Sequence, residues 1–484
     1  MKMPKLNPQK IANSFRTRSF RVGGYSVALT AIVIAMAFVI NIMAAALPTK
    51  WTSIDTTSGQ IFSISDQTEK LLGSLQEDVT IYWIVQSGNE DTYLETLLDH
   101  YESDSGRISV VRKDPNVYPT FVQQYVDDGV SENSLIVECG DKYRYVDYYD
   151  IYVYDYTNYY YDGTYDVSFD GESSITSAID YCVSEDLPKV YTLTGHGESA
   201  LSTTFSTAVE KENIELQDLS LLTLDAVPED ADCVLIYAPT GDIAAQELDM
   251  LRSYTQSGGS ILLITNPYDD VTFPNLEALM ADYGVSPVEG VVVEGDQNYY
   301  AWSTPYYLLP DYGSHDITAS LSEGGYYVLL PASHGIAVSG ELNNELTVTE
   351  LLTTSDAAFS KTAGYNLTTY EKEDGDIDGP FALAIAAENS SSGSQAVWFA
   401  SSHLLDDDTN AQVSGGNQDL FLNALNWMCG SEERDLAIHA KTLSTEYLTM
   451  DSSTATALTL LTVLLLPAAY LVVGIVIFIG RKRR

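Results

Sequence analysis

Basic residues are scarce in this 484-residue chain. Its 24 Lys and Arg stand against 68 Asp and Glu, a formal net charge of −44. Phosphate recognition needs clustered Lys and Arg, so this balance excludes a nucleic-acid-binding role and tells against the acidic part lying on anionic lipid. Cysteine is scarcer still: Cys139, Cys182, Cys233 and Cys429, with no C-x-x-C pair and so no zinc or redox spacing. Cys233, inside the apolar run DCVLIYA, has the setting of a buried small hydrophobe. The Walker A pattern G-x-x-x-x-G-K-[ST] is missing, which removes the ordinary loop for ATP phosphates.

Two long apolar runs are present. Residues 25–47 carry no charge, and neither do residues 455–479. Either is long enough to cross a hydrocarbon core of about 30 Å as a helix. Lys2, Lys5, Lys10, Arg16, Arg18 and Arg21 precede the first run without a single acid, and Arg481, Lys482, Arg483 and Arg484 follow the second. Lys and Arg near a spanning helix stay on the cytoplasmic side, so both tails are expected inside the cell membrane and the acidic middle outside. A cleaved signal peptide is the rival reading of the first run, given Ala44-Ala45-Ala46 before Leu47; the run exceeds the usual apolar length of such a peptide.

About 400 residues of exterior chain suggest more than one core. In the first part, SISDQTEKLLGSL reads as a capped helix and VTIYWIV as a strand, with a helix around residues 92–101. RISVVRKDP is a second strand and TFVQQYVDDG a helix closed by Gly129. NSLIVEC and KYRYVDYYDIYVYDY read as further strands. That β-α-β-α-β-β order matches a thioredoxin-like layout, but where its redox cysteines belong the chain reads QSGNED. Tyr152, Tyr154 and Tyr156, spaced two apart, place aromatics on one strand face, either as a surface for sugar or protein or as packing against a neighbouring domain.

From residue 187 strands and helices alternate. KVYTLTGHGE, DCVLIYAPTGD and SILLITNP read as strands, the last two nearly continuous in apolar residues, as strands covered on both faces are. Residues 243–257, NLEALMADYG and NQDLFLNALNWMCG read as helices, and this region is expected to be a doubly wound α/β domain. Ligands in such sheets sit beyond the carboxyl ends of the strands. Those ends carry His196 and Glu198, Asn266 and Asp269, and His403 and Asp406, the candidate ligand-binding residues. His196 between two glycines is suited to donating to a ligand, to acid–base work with Glu198, or simply to holding its own turn.

The chain resembles the GldG-like auxiliary membrane component of gliding-motility-type ABC transporters. The likeness lies in TSGQIFSISDQTEKLLGSLQEDVTIYW, VYTLTGHGE and LLITNP, between an N-terminal span and a C-terminal span that ends in basic residues. Residues from about 299 to 379 are less typical. The resemblance implies an ABC permease and a cytoplasmic ABC ATPase as partners, with this chain as the non-ATPase subunit. The α/β region is also similar to amidotransferase-like folds, whose strand-to-helix elbow carries a nucleophile. Here the comparable strand ends LLITNPYDD, with neither Ser nor Cys, and Thr265 shows no adjacent base in sequence. No catalytic residue is therefore assigned.

Asp374, Asp376 and Asp378 match the opening D-x-D-x-D-G of a calcium loop, yet the twelfth position, which needs a bidentate Glu, is Ile385. An acidic hairpin turn explains the segment equally. The expectation is a membrane-bound α/β protein without a required cofactor. Its divisions are a basic tail 1–24, a span 25–47, a thioredoxin-like domain 54–170 lacking C-x-x-C, a doubly wound flavodoxin- or amidotransferase-like domain 187–432, a membrane-proximal linker 433–454, a span 455–479 and a basic tail 480–484. Its expected role is partner, substrate or envelope binding for an ABC transporter. The alternatives are an envelope glycan-binding or sensing protein and an extracytoplasmic hydrolase.

Overall fold

The computed structural model describes residues 25, 29–36, 38–39, 61, 63–126, 129–155, 165–267, 272–430, 438 and 440–443. Among these, no helix is long and apolar enough to cross a membrane. The described part of the first apolar run, residues 25, 29–36 and 38–39, is helical and exposed; the second run lies outside the described residues.

The first unit opens with α1 (Asp66–Ser74), started by the Ser65 side chain, which accepts from Thr68 N. There follow β1 (Val79–Ile84), α2 (Thr92–Asp104), β2 (Ile108–Lys113), the single turn α3 (Pro119–Val122), β3 (Ser134–Cys139) and β4 (Lys142–Val146). The sheet order is β2-β1-β3-β4, with β1 parallel to β2 and antiparallel to β3. The helix expected over TFVQQYVDDG is only the four residues of α3. Val122 is its only buried residue, and a single anchor offsets little of the cost of fixing a longer helix.

The tyrosine-rich stretch is not continuous strand either. Asp147 accepts from Tyr149 N and starts a helical turn, α4 (Tyr148–Ile151), which separates β4 from β5 (Tyr152–Asp155). β5 pairs with β6 (Asp166–Phe169). Next comes α5 (Gly171–Val183), whose Ile175, Ala178, Ile179 and Cys182 pack into the first unit's core with Trp83, Leu97, Leu135 and Val137. The other sides of α5 are polar and also buried, which makes it the seam between the two units.

In the second unit β7 (Lys189–Leu193), α6 (Thr203–Lys211), β8 (Glu215–Leu219), β9 (Cys233–Tyr237), α7 (Ala245–Gln256), β10 (Ser260–Ile264) and α8 (Pro274–Ala281) alternate. β11 (Val285–Val288) and β12 (Val291–Val293) come next, then β13 (Tyr307–Leu308), β14 (Asp311–Tyr312), α9 (Asp316–Gly324), β15 (Leu330–Pro331) and β16 (Gly335–Val338). The chain continues through β17 (Leu346–Thr353), β18 (Phe359–Lys361), β19 (Ile377–Asp378), β20 (Ala382–Asn389), β21 (Ser394–Phe399), α10 (Asp407–Gln412) and α11 (Gly416–Met428).

The main sheet is ten-stranded, along β11-β16-β20-β21-β10-β9-β7-β8, with β17 paired to β20 and β14 paired to β17. β8, β7, β9, β10 and β21 run parallel, and β20 returns antiparallel to β21. Its centre follows the two-residue strand period. Cys233, Leu235, Leu262 and Ile264 meet α6, α9 and α11 on one face, whereas Val234, Ile236, Ile261 and Leu263 meet α7 and α8 on the other. Every residue of β9 and β10 is buried, as their unbroken apolar runs require. None of the four cysteines is in a disulfide, and Cys233 is buried in this core.

A last strand, β22 (Lys441–Thr442), leaves the second unit and adds to β6 of the first. Lys441 reaches Ser63 O, and its Nζ lies 2.6 Å from Oε2 of the buried Glu172 at the start of α5. Glu172 Oε1 accepts from Ser65 N (2.5 Å) and Thr68 Oγ1 (2.8 Å). The chain just after the first apolar run and the chain approaching the second are thus fastened together at one carboxylate.

Candidate functional site

A buried polar cluster at the carboxyl ends of the parallel strands is built on the TGHGE turn after β7. Gly195 has φ +125° and Gly197 φ +75°, left-handed positions that favour glycine. A Cβ on Gly197 would stand 2.0 Å from Thr240 Oγ1, so the neighbouring turn after β9 also requires the missing side chain. That turn is tied down by Thr240 N and Gly241 N, which donate to His196 O at 3.0 and 2.8 Å.

The His196 imidazole is held at both nitrogens, with Nδ1 2.8 Å from Glu198 Oε1 and Nε2 2.9 Å from Glu247 Oε2. Glu198 Oε2 also accepts from His196 N at 2.7 Å. Glu247 stands in the first turn of α7, where Oε2 accepts from Ala244 N at 2.7 Å and satisfies a helix-start donor. The three side chains are 8, 3 and 4 % exposed. Burial alone would lower the His196 pKa, but the hydrogen bonds and charges of Glu198 and Glu247 outweigh it and raise the pKa above its ordinary value. Two acceptors on one ring suit an imidazolium that donates from both nitrogens. This arrangement locks a turn and leaves neither ring nitrogen open to abstract a proton.

The other candidates do not join this cluster. His403 Nδ1 lies 2.6 Å from Asp406 Oδ2 in an exposed pair, and Asn266 Oδ1 accepts from Ser402 N beside it. Asp269 lies outside the described residues, as does Tyr156. Tyr152 is half-buried: its hydroxyl donates to Asp91 Oδ2 at 2.8 Å and its ring packs on Tyr148 and Phe169. Tyr154 is exposed and packs beside Tyr165. In the acidic segment, Asp376 Oδ2 is 3.1 Å from the Nζ of the buried Lys361 and accepts from Glu373 N; Asp378 pairs with Lys372, and Asp374 is exposed. Lysine ammonium groups stand where two of these carboxylates would face a cation. No group of three or more His, Cys, Asp or Glu among the described residues is placed to hold a metal ion.

Sequence reading missed Glu247 and misjudged Thr265. Glu247 looks like one more acid on an amphipathic helix, and only its position three residues after Ala244 hints at a capping role. Thr265, at the end of β10, does have an adjacent imidazole, that of His334, brought from the loop before β16. Trp398 Nε1 donates to Thr265 Oγ1 (2.7 Å), Thr265 Oγ1 lies 2.8 Å from His334 Nε2, and His334 Nδ1 lies 2.7 Å from Gly335 O. One assignment satisfies all three: the hydroxyl donates to Nε2, and Nδ1 carries the proton given to Gly335 O. Burial pushes His334 down to about 4, keeping it neutral. The pairing has the form of a hydroxyl and its base. Yet Thr265, His334 and Trp398 are 2, 1 and 0 % exposed, closed to any substrate.

Two family descriptions match the chain. Residues 187–424 match "ABC-type uncharacterized transport system", and residues 58–153 match "Domain of unknown function (DUF7088)". No curated protein matches. Among solved structures, the chain is similar to the "mmIFT52 N-terminal domain" at 16 % identity, over 52 % of this chain and 99 % of that one, with a TM-score of 0.37. PurLQS from Thermotoga maritima is similar at 11 % identity, over 50 % of this chain and all of that one, with a TM-score of 0.26. Neither likeness is close enough to carry a conclusion about this chain.

Proposed function

From a chain whose residues 187–424 carry the domain of the ABC-type transport auxiliary family, we propose a non-ATPase auxiliary subunit of an ABC transporter. Its two apolar runs anchor it in the membrane beside a permease, with a cytoplasmic ATPase supplying the energy and both tails on the cytoplasmic side. The acidic α/β units lie outside: a thioredoxin-like unit without redox cysteines, and a doubly wound unit with its sheet covered on both faces.

The observation that carries this reading is the junction at Glu172. Lys441 pairs with Glu172 there and bonds Ser63 O, so residues 63 and 441, which in sequence stand towards the two apolar runs, are held together. A junction of this kind suits two helices that enter one membrane together and pack on one partner. A non-enzymatic role is supported by the two imidazole sites, since His196 is clamped between carboxylates and the Thr265–His334 pair is closed to solvent. Purification of the full chain in mild detergent tests the reading. A multi-span permease and an ABC ATPase are expected to accompany it, and their absence refutes the assignment.

A further inference from the structure

In the stretch least typical of the family resemblance, a hairpin presents a row of aromatic rings. Tyr300 bridges Leu308, and Ala301 N donates to Tyr307 O, so the tip falls at residues 302–306. The tip is held rigidly. Glu294 N donates to Pro305 O, Ala332 N donates to Tyr306 O, and Thr304 N donates back to Ala301 O. Trp302 and Ser303 both take left-handed backbone, φ +49° and +58°. Consecutive non-glycine residues in that region cost energy, and such strain persists where surrounding contacts over-determine it, often at ligand clamps. Here the product of the strain is a tryptophan turned outward, 60 % exposed.

Trp302 begins a line. Its ring centroid is 5.8 Å from Tyr307, Tyr307 is 5.2 Å from Tyr306, and Tyr306 is 5.5 Å from Tyr370, which is itself 45 % exposed. Trp302 and Tyr370 are the exposed ends of this series of ring contacts, Tyr306 and Tyr307 between them are half-buried, and polar residues surround them, including exposed Gln297, Asn298 and Ser303; Tyr299 donates to Asp311 at 2.7 Å. A protein-docking surface would need a broad apolar patch around such anchors. Residues 296–312 contain no Lys or Arg, and the two lysines that flank the Tyr370 segment are paired, Lys361 with Glu373 and Asp376 and Lys372 with Asp378, while Asp296, Asp311 and Glu371 supply carboxylates. This charge pattern repels phosphate, anionic lipid and acidic polymers. It suits a neutral ligand with apolar ring faces and many hydroxyl donors.

We propose that the Trp302–Tyr307–Tyr306–Tyr370 row binds a neutral, unbranched glycan chain. Sugar CH faces stack on the exposed rings, and the flanking carboxylates and tyrosine hydroxyls take the sugar hydroxyls. The site differs from the tyrosine row at β5, whose Tyr152 is tied to Asp91. It rests on the exterior placement proposed above for where it meets such a polymer.

The test is calorimetric titration of the full chain with cellohexaose and chitohexaose, in a polyoxyethylene detergent that carries no sugar headgroup. At least one is expected to bind, Trp302→Ala to weaken it by about tenfold or more, and Trp302→Phe to keep most of the affinity. Tyr154→Ala is expected to bind as the parent does. Binding of neither oligosaccharide, equal affinity in Trp302→Ala, or loss of binding in Tyr154→Ala alone overturns the proposal. Co-purification of permease and ATPase is scored separately and reports on the subunit assignment alone.

Discussion

Lys441 and Glu172 form an ion pair, Nζ to Oε2 at 2.6 Å, at the point where the last described strand returns to the first unit. The same ammonium reaches Ser63 O, 378 positions away in sequence. One buried carboxylate therefore fastens the segments at Ser63 and Lys441 to the helix that joins the two units.

That junction has a measurable energy. Removing one partner of a buried pair leaves an uncompensated charge, so Glu172→Gln and Lys441→Met are each expected to cost about 3 kcal/mol in denaturant unfolding. The double variant is expected to lose less than the two singles together, by at least about 1 kcal/mol. Strictly additive losses contradict direct coupling.

The His196 clamp sets a pH dependence. The folded pKa is raised above the ordinary value, so the clamp's contribution to stability is complete below the unfolded histidine's pKa and is lost as pH rises through the folded one. Imidazole NMR titration is expected to place His196 above free histidine, and Glu247→Gln to lower it by removing one carboxylate. A His196 that titrates below free histidine in the parent chain refutes the clamp.

The glycine of the turn is expected to be irreplaceable for steric reasons. Gly197→Ala combines a left-handed φ with a Cβ 2.0 Å from Thr240 Oγ1. Thermal and denaturant unfolding are expected to report a loss of about 1–3 kcal/mol. Gly73, where a Cβ meets nothing within 4 Å, serves as the permissive control.

Thr265 is expected to matter for packing of polar groups. Thr265→Val removes the buried hydroxyl that bonds both Trp398 and His334, at about 1–3 kcal/mol. Thr265→Ser keeps the hydroxyl and is expected to stay within about 1 kcal/mol of the parent. A Val variant as stable as the parent shows that the hydrogen-bond chain contributes nothing.

Much of the scaffold was legible because it depends on local pattern. Apolar runs such as DCVLIYA and SILLI announce strands covered on both faces, and β9 and β10 are so covered. The TGHGE turn was legible as a special backbone from its two glycines. What escaped depends on partners far away in sequence: Glu247 reaches His196 from the next helix, and His334 reaches Thr265 from a loop 69 residues on. The tyrosine-rich stretch misled because its two-residue alternation hid Asp147, whose side chain starts a helical turn. Trp302 gave no sequence signal, since only the left-handed backbone turns it outward.

We propose that this chain is the non-ATPase subunit of a transporter, anchored through its two apolar runs. The most direct measurement is affinity purification of the full chain from its own membranes in mild detergent, with identification of what co-elutes. A multi-span permease and an ABC ATPase are expected in constant ratio to the chain. Elution of the chain without either protein contradicts it.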